Sequence, residues 1–160
     1  MGTGLTIISG GQTGVDRAAL DAALDAGAPC GGRCPPGRMA EDGPLAPRYP
    51  LRELVGGGYR ERTLANVCDS DGTLVIHAGE LEGGTAQTVE FCIAEGKPYQ
   101  LVDRGTLTPE AAAGVVREFI VRHRIATLNV AGPRASKQPA IYAYAYAVIT
   151  LLLNAPKSDR

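Results

Sequence analysis

Ser9-Gly10-Gly11-Gln12-Thr13-Gly14 follows directly on the apolar run Leu5-Thr6-Ile7-Ile8 and leads into a helical pattern from Val15 to Ala26. A short β-type run, glycines and then a helix read as the first strand–turn–helix step of a nucleotide-type α/β domain. Glycine lets a backbone turn tightly and approach a ligand without a Cβ in the way. The first N–H groups of the helix that follows lack internal partners, so an anion fits there. Thr13 with Asp16 three residues later also has the form of a capping box that would set the helix start. The glycine spacing is not that of the G-x-G-x-x-G fingerprint, and no lysine follows as in a P-loop. On this turn alone, ligand binding and a mere glycine-rich bend are both open.

Working outward, the same unit recurs. Helix Val15 to Ala26 carries small residues along one side, and Gly27 ends it. Ala28 to Gly32 is a weak candidate strand. Arg33 to Pro50, with five prolines, reads as a long irregular segment of the kind that forms lids or binding loops. Its Arg33, Arg38, Glu41, Asp42, Arg48 and Tyr49 either contact a ligand or pair among themselves. A helix from Tyr59 to Ser70 places Leu64, Val67 and Cys68 at core spacing. The strand Thr73 to His77 then leads through Glu82-Gly83-Gly84-Thr85 to a helix, Ala86 to Glu95, with Val89, Cys92 and Ile93 as its apolar face. Asp69, Ser70 and Asp71 precede that strand, at the end where open parallel sheets do not bind ligands, and so read as structural. His77 at the strand exit reads as a packing residue. Tyr99 to Asp103 is the next strand, and Thr108-Pro109-Glu110 starts another helix with a cap, a proline and an early acid. Thr127 to Ala131 forms the last strand, Gly132-Pro133-Arg134-Ala135-Ser136 the third loop, and Ala140 to Asn154 the closing helix. Its Tyr142 and Tyr146 share a side and read as packing or subunit-contact residues.

Strands alternating with helices predict a three-layer, Rossmann-like α/β domain: a mainly parallel sheet of about five strands with helices on both faces. Right-handed crossovers bring the three glycine loops to one edge, where they make an anion-receiving crevice.

The bulk composition narrows the possibilities. The 160 residues fit one domain, 44% of them hydrophobic and 21% charged. A net charge of −1 supplies no basic field for nucleic acid. No apolar run reaches the roughly 20 residues of a membrane span, and the start of the chain lacks a secretion-signal pattern. Cys30, Cys34, Cys68 and Cys92 do not have zinc-site spacing and read as buried, reduced thiols of a cytoplasmic protein.

Taken together, Ile8 to Arg17, Cys34-Pro35-Pro36-Gly37-Arg38 with Glu41-Asp42-Gly43, Arg62-Thr63 with Asn66-Val67, Ser70 to Leu74, Gly83-Gly84-Thr85 and Asn129 to Ser136 are recognisable. In order over nearly the whole chain, they resemble the molybdenum cofactor carrier family. Its Rossmann-like superfamily also holds the "lonely guy", lysine-decarboxylase-like phosphoribohydrolases. The resemblance implies binding and safekeeping of a phosphorylated pyranopterin bearing molybdenum, without turnover. It further implies a homo-oligomer (dimer or tetramer), with molybdoenzymes as candidate recipients. In that reading Ser9 to Gly14, Gly83 to Thr85 and Gly132 to Ser136 offer backbone N–H groups to phosphate. Arg17, Arg38, Arg62 or Arg134 would add forked hydrogen bonds to phosphate or molybdate oxygens. Asp16, Glu41 or Asn66 would read the amino and amide edge of the pterin.

The hydrolase relatives provide a contrast. They pair an arginine–lysine step with a glycine motif that ends in a glutamate. Here Thr63 follows Arg62, and Thr88 stands where the glutamate would be. A hydroxyl does not replace a carboxylate acid/base, and Glu90 is about 200° further around the helix. No catalytic or metal-ligating residue is therefore assigned. Nucleotide binding or sensing is the alternative, and phosphoribohydrolysis ranks third.

Overall fold

The computed structural model describes residues 4–154. Five strands form one sheet: β1 (Thr6–Ile8), β2 (Cys30–Gly31), β3 (Gly72–His77), β4 (Tyr99–Asp103) and β5 (Thr127–Ala131). Their order is β2-β1-β5-β3-β4, and all neighbours run parallel. The helices are α1 (Val15–Asp25), α2 (Tyr59–Asp69), α3 (Gly83–Glu95), α4 (Pro109–His123) and α5 (Ile141–Leu153). The three-layer α/β arrangement read from the sequence is the one observed.

The last strand of the chain lies in the middle of the sheet. If β5 is counted first, the order becomes 3-2-1-4-5, that of a doubly wound dinucleotide-binding fold. The chain is thus a circular permutation of that fold, with β5 and α5 supplied from the carboxyl end. The strand order reverses between β5 and β3, and this is where a crevice opens in such sheets.

Strand alternation sorts the two layers. Ile7, Leu74, Ile76, Leu128 and Val130 point into the main core, where α1, α4 and α5 contribute Ala18, Ala22, Phe119, Ala145 and Ile149. The alanines of α1 are at most 1% exposed, as a small-residue face laid against its neighbours requires. On the other face a smaller cluster of Val67, Phe91 and Cys92 joins α2 to α3.

Helix α4 starts as its sequence predicts: Thr108 Oγ1 accepts from the Ala111 N–H at 3.1 Å, with Pro109 in the first turn. The structure corrects other expectations. Helix α3 begins at Gly83 rather than Ala86, so Gly83-Gly84-Thr85 is its first turn and not a loop. Two glycines depress helix propensity and so hide that turn in the sequence. No capping box forms at Thr13 and Asp16: Gly14 is the cap position, at φ +81°, and neither side chain caps the helix. Cys92 is buried as expected, but Ile93 is 63% exposed and Thr85, Thr88 and Phe91 are buried in its place. Cys68 is also exposed, whereas Cys34 and Cys92 are buried.

The segment read as irregular is ordered by a core of its own. Arg33–Cys34 pairs with Arg52–Glu53, and Met39–Ala40 pairs with Gly43–Pro44 in a hairpin tipped by Glu41 and Asp42. Leu20 of α1 packs with Cys34, Ala40, Leu45, Tyr49 and Leu51. The Arg38 guanidinium donates to the Leu51, Ala46 and Tyr49 carbonyls at 2.9, 2.9 and 3.0 Å, stapling the segment from within.

Candidate functional site

A cavity of about 620 Å³ lies at the carboxyl ends of β5 and β3. That volume is within the range that buries a small organic ligand. All three glycine-bearing segments reach it: Gly10 and Gln12 after β1, Gly83, Gly84 and Thr85 after β3, and Gly132 and Arg134 after β5. Asp16, Arg62 and Asn66 complete the sequence-derived residues on its wall. Ser9, Gly11, Thr13, Gly14, Arg17, Arg38, Glu41 and Ser136 lie outside the lining.

Most amides of the β1 turn are engaged by the chain's own side chains. The Asp16 carboxylate accepts from the N–H groups of Gly10 and, at 3.4 Å, Gln12. Gly11 N–H donates to Ser9 Oγ, which itself donates to the Asp16 carbonyl at 2.9 Å. Gln12 Oε1 accepts from the N–H groups of Thr13 and Glu41 at 3.0 and 2.8 Å. Thr13 Oγ1 accepts from Ala135 N–H at 3.1 Å and donates to Glu41.

In the loop after β5, Ser136 N–H and hydroxyl also go to Glu41, and Arg134 Nε lies 3.6 Å from that carboxylate. Gly14 presses on this loop so closely that a Cβ there would be 2.4 Å from the Pro133 carbonyl oxygen. The outcome is a latch in which two acidic residues fill the nests of two loops. The hydrogen bonds from Thr13 and Ser136 hold the Glu41 carboxyl below the usual carboxylate range.

The remaining sequence candidates serve the frame around the cavity. Arg17 donates to the Gly11 carbonyl and, forked, to both oxygens of Asp42 at 3.1 and 3.0 Å. Asn66 accepts from Arg33 N–H at 2.9 Å and donates to the Arg33 carbonyl at 3.1 Å, tying α2 to the segment after β2. Asp71 lies at the amino edge of the sheet, as its position before β3 implied, and accepts from the N–H groups of Ala126 and Thr127. His77 Nδ1 is 2.7 Å from the Gly79 carbonyl.

The amino end of α3 is different. The N–H groups of Gly83 and Gly84 face no acceptor among the described residues, because the first turn closes only from Thr85 and Ala86 onto the Glu82 carbonyl. Open amides at the start of a 13-residue helix have the polarity that favours an anion on the cavity wall. Arg60 and Lys137 line the same cavity with no ion pair among the described residues. Sequence reading missed both, because neither sits in a glycine motif and no local pattern marks them. Thr88 is buried, and its hydroxyl donates to the Gly84 carbonyl at 2.9 Å.

Arg62 and Asp16 form the most buried ion pair at the site. Their side chains are 14% and 6% exposed, with NH1 3.3 Å from Oδ2. Burial raises the Asp16 carboxyl to a pKa of about 6, against the lowering effect of Arg62 and of the two amides. Among the described residues, no group of three or more His, Cys, Asp and Glu side chains could hold a metal ion. No described helix is long and apolar enough to cross a membrane.

A permuted Rossmann-like sheet with a ligand-sized cavity at its switch point defines the class: an α/β domain of the doubly wound type. The family model of the circularly permutated YpsA SLOG family matches residues 7–153. The chain belongs to that family. It is also similar to a crystal structure from Syntrophus aciditrophicus SB named "Putative molybdenum carrier protein". The two share 43% sequence identity with a TM-score of 0.91, over 95% of this chain and 97% of the other. No curated protein matches the chain.

Proposed function

We propose that the protein binds and shields the molybdenum cofactor, a phosphorylated pyranopterin, as a cytoplasmic carrier or store that works as a homo-oligomer and delivers to molybdoenzymes. The observation that carries this reading is the pair of amides at Gly83 and Gly84, which meet no acceptor among the described residues and open onto a cavity of about 620 Å³. A phosphate there meets the positive end of α3 and two cations with no ion pair among the described residues, Lys137 and Arg60, the latter over the Phe91 ring. This arrangement favours a dianion over a neutral group. The likeness to the Syntrophus protein supports molybdenum as the cargo.

The residues present fit such a ligand. Arg62 Nε is buried without a hydrogen-bond partner among the described residues, so a guanidinium on the wall still has a donor to satisfy. Gly10, Gly11, Gln12, Thr13 and Ser136, with Glu41, act by shaping the rim, while Gly83, Gly84, Arg62 and Arg134 face the cargo. Thr88 spends its hydroxyl inside α3, which suits retention rather than glycosidic cleavage.

Mass spectrometry and metal analysis of the protein purified from its own cells test the assignment. A copurifying pterin phosphate with molybdenum supports it. In direct titrations, a phosphorylated pterin is expected to bind at least about tenfold more tightly than AMP or GMP, a difference of about 1.4 kcal/mol. The reverse preference overturns the carrier reading in favour of a nucleotide-binding one.

A further inference from the structure

The Arg62 guanidinium lies across the backbone of Gly10, where a Cβ would come within 1.6 Å of NH1. Only glycine permits that placement. NH1 is 3.3 Å from Asp16 Oδ2, longer than the roughly 2.7–2.9 Å of a strong charge-assisted bond. Nε has no hydrogen-bond partner among the described residues, although the guanidinium also lies 6.0 Å from the Tyr59 ring centroid. Both residues line the cavity and both are largely buried. A cation that is loosely held on one nitrogen and unsatisfied on another, beside a ligand-sized space, is positioned to change partners.

We infer that Asp16 is a positioning residue for Arg62: it holds the guanidinium until an anionic ligand takes it over, and that exchange draws a proton from solvent onto the Asp16 carboxylate. This rests on the anion-binding reading of the cavity. The atoms balance simply. The Arg62–Asp16 hydrogen bond breaks, one from Arg62 to a ligand oxygen forms, and Asp16 Oδ2 gains the proton.

The physical reason is like-charge crowding. An anion beside Arg62 sits next to an ionised carboxylate in a poorly solvated wall, and neutralising that carboxylate removes the repulsion. Burial already places the Asp16 carboxyl within reach of a proton near neutrality. The charged groups around it are few. Helix α2 contributes Arg62, and the β1 turn contributes only amides. The loop after β5 contributes Arg134, which faces Glu41, and Arg17 on α1 is turned to Asp42. His77, Glu80, Glu82, Arg60 and Lys137 line the rest of the cavity. Binding and protonation of one buried acid are then thermodynamically linked, so each strengthens the other.

Calorimetric titration of the whole protein with inorganic sulfate tests this, because sulfate keeps its charge from about pH 5 to about pH 8 while Asp16 titrates. Paired buffers of different ionisation enthalpy count the protons. The expected result is uptake approaching one proton per sulfate above about pH 7, with affinity weakening by up to about tenfold per pH unit as pH rises. Asp16→Asn is expected to flatten the profile and abolish the uptake, and Arg62→Gln to weaken sulfate binding throughout. A flat wild-type profile, no sulfate binding at the acid end, or an unchanged slope in Asp16→Asn overturns the inference. Should Asp16→Asn fail to fold, NMR titration of the wild-type Asp16 carboxyl decides: its pKa must rise when sulfate is added, and an unmoved value refutes the coupling. Sulfate binding with proton uptake alongside failure of the phosphorylated pterin refutes the cargo while upholding the coupling.

Discussion

Ser136 donates both its backbone N–H, at 3.1 Å, and its hydroxyl, at 2.7 Å, to the carboxylate of Glu41, 95 residues away in the chain. Thr13 and Arg134 converge on the same carboxylate. An acidic hairpin tip thereby fills the nest that a glycine-bearing loop would otherwise present to a ligand.

The latch is expected to be acid-labile. The folded pKa of Glu41 lies below the ordinary glutamate value of 4.5, so its contribution is present above that value and is lost as pH falls through the folded pKa. Amide exchange at Ser136 reports the release. Glu41→Gln is expected to speed that exchange at neutral pH, and unchanged protection in the variant would show that the carboxylate is not what holds the hairpin.

Gly11 and Gly84 make opposite predictions. Gly11 has φ +80°, and a Cβ there would lie 2.5 Å from Leu51 Cδ1, off the cavity and inside the second core. Gly11→Val is expected to cost roughly 2–3 kcal/mol of stability in urea denaturation. At Gly84 a Cβ meets nothing within 4 Å. Gly84→Leu is expected to leave the Tm within a few degrees and to weaken phosphate-ester binding by about tenfold or more. Intact binding in Gly84→Leu would move the anion site away from α3.

Asp16 makes a pH-dependent contribution to folding of the opposite sign to Glu41. Its folded pKa of about 6 lies above the ordinary aspartate value of 3.8, so the native state binds more protons between those values. Wild-type stability relative to Asp16→Asn is therefore expected to fall as pH rises from about 4 to about 6, by roughly 3 kcal/mol at most. Denaturant midpoints of the two proteins at both ends of that window check it. A constant difference would mean that Asp16 titrates normally.

Asp71 serves as a control at the far edge of the sheet. One of its oxygens accepts two amides, each at 2.9 Å, and joins the entry of β3 to that of β5. Asp71→Ala is expected to lose about 1 kcal/mol of stability with ligand affinity unchanged. An altered affinity would show that the two edges communicate.

Much of the layered architecture was legible. The helical stripe Ile141, Ala145, Val148, Ile149 and Leu152 is buried as its periodicity predicts, and the strand leading to His77 is buried from Thr73 to Ile76, as its apolar sequence describes. Other features were not. Cys68 sits at core spacing on α2 yet is exposed, because the α2–α3 layer is narrow and Phe91 and Cys92 already fill it. The first turn of α3 was hidden by its glycines. Arg60 and Lys137 join the cavity from two separate parts of the chain, and no local pattern marks them.

Local periodicity, caps and glycine placement were sufficient to determine the sequence alone's share: an alternating α/β domain whose loops gather at one sheet edge. Tertiary structure alone decided that the last strand pairs between the first and the third, and that Asp16 and Glu41 occupy the amides of their own loops. Both depend on contacts between residues far apart in the chain, such as Arg62 with Asp16 across 46 positions and Ser136 with Glu41 across 95. Hydrogen-bond donors are satisfied by whichever acceptor the folded chain brings nearest, and sequence spacing does not carry that distance.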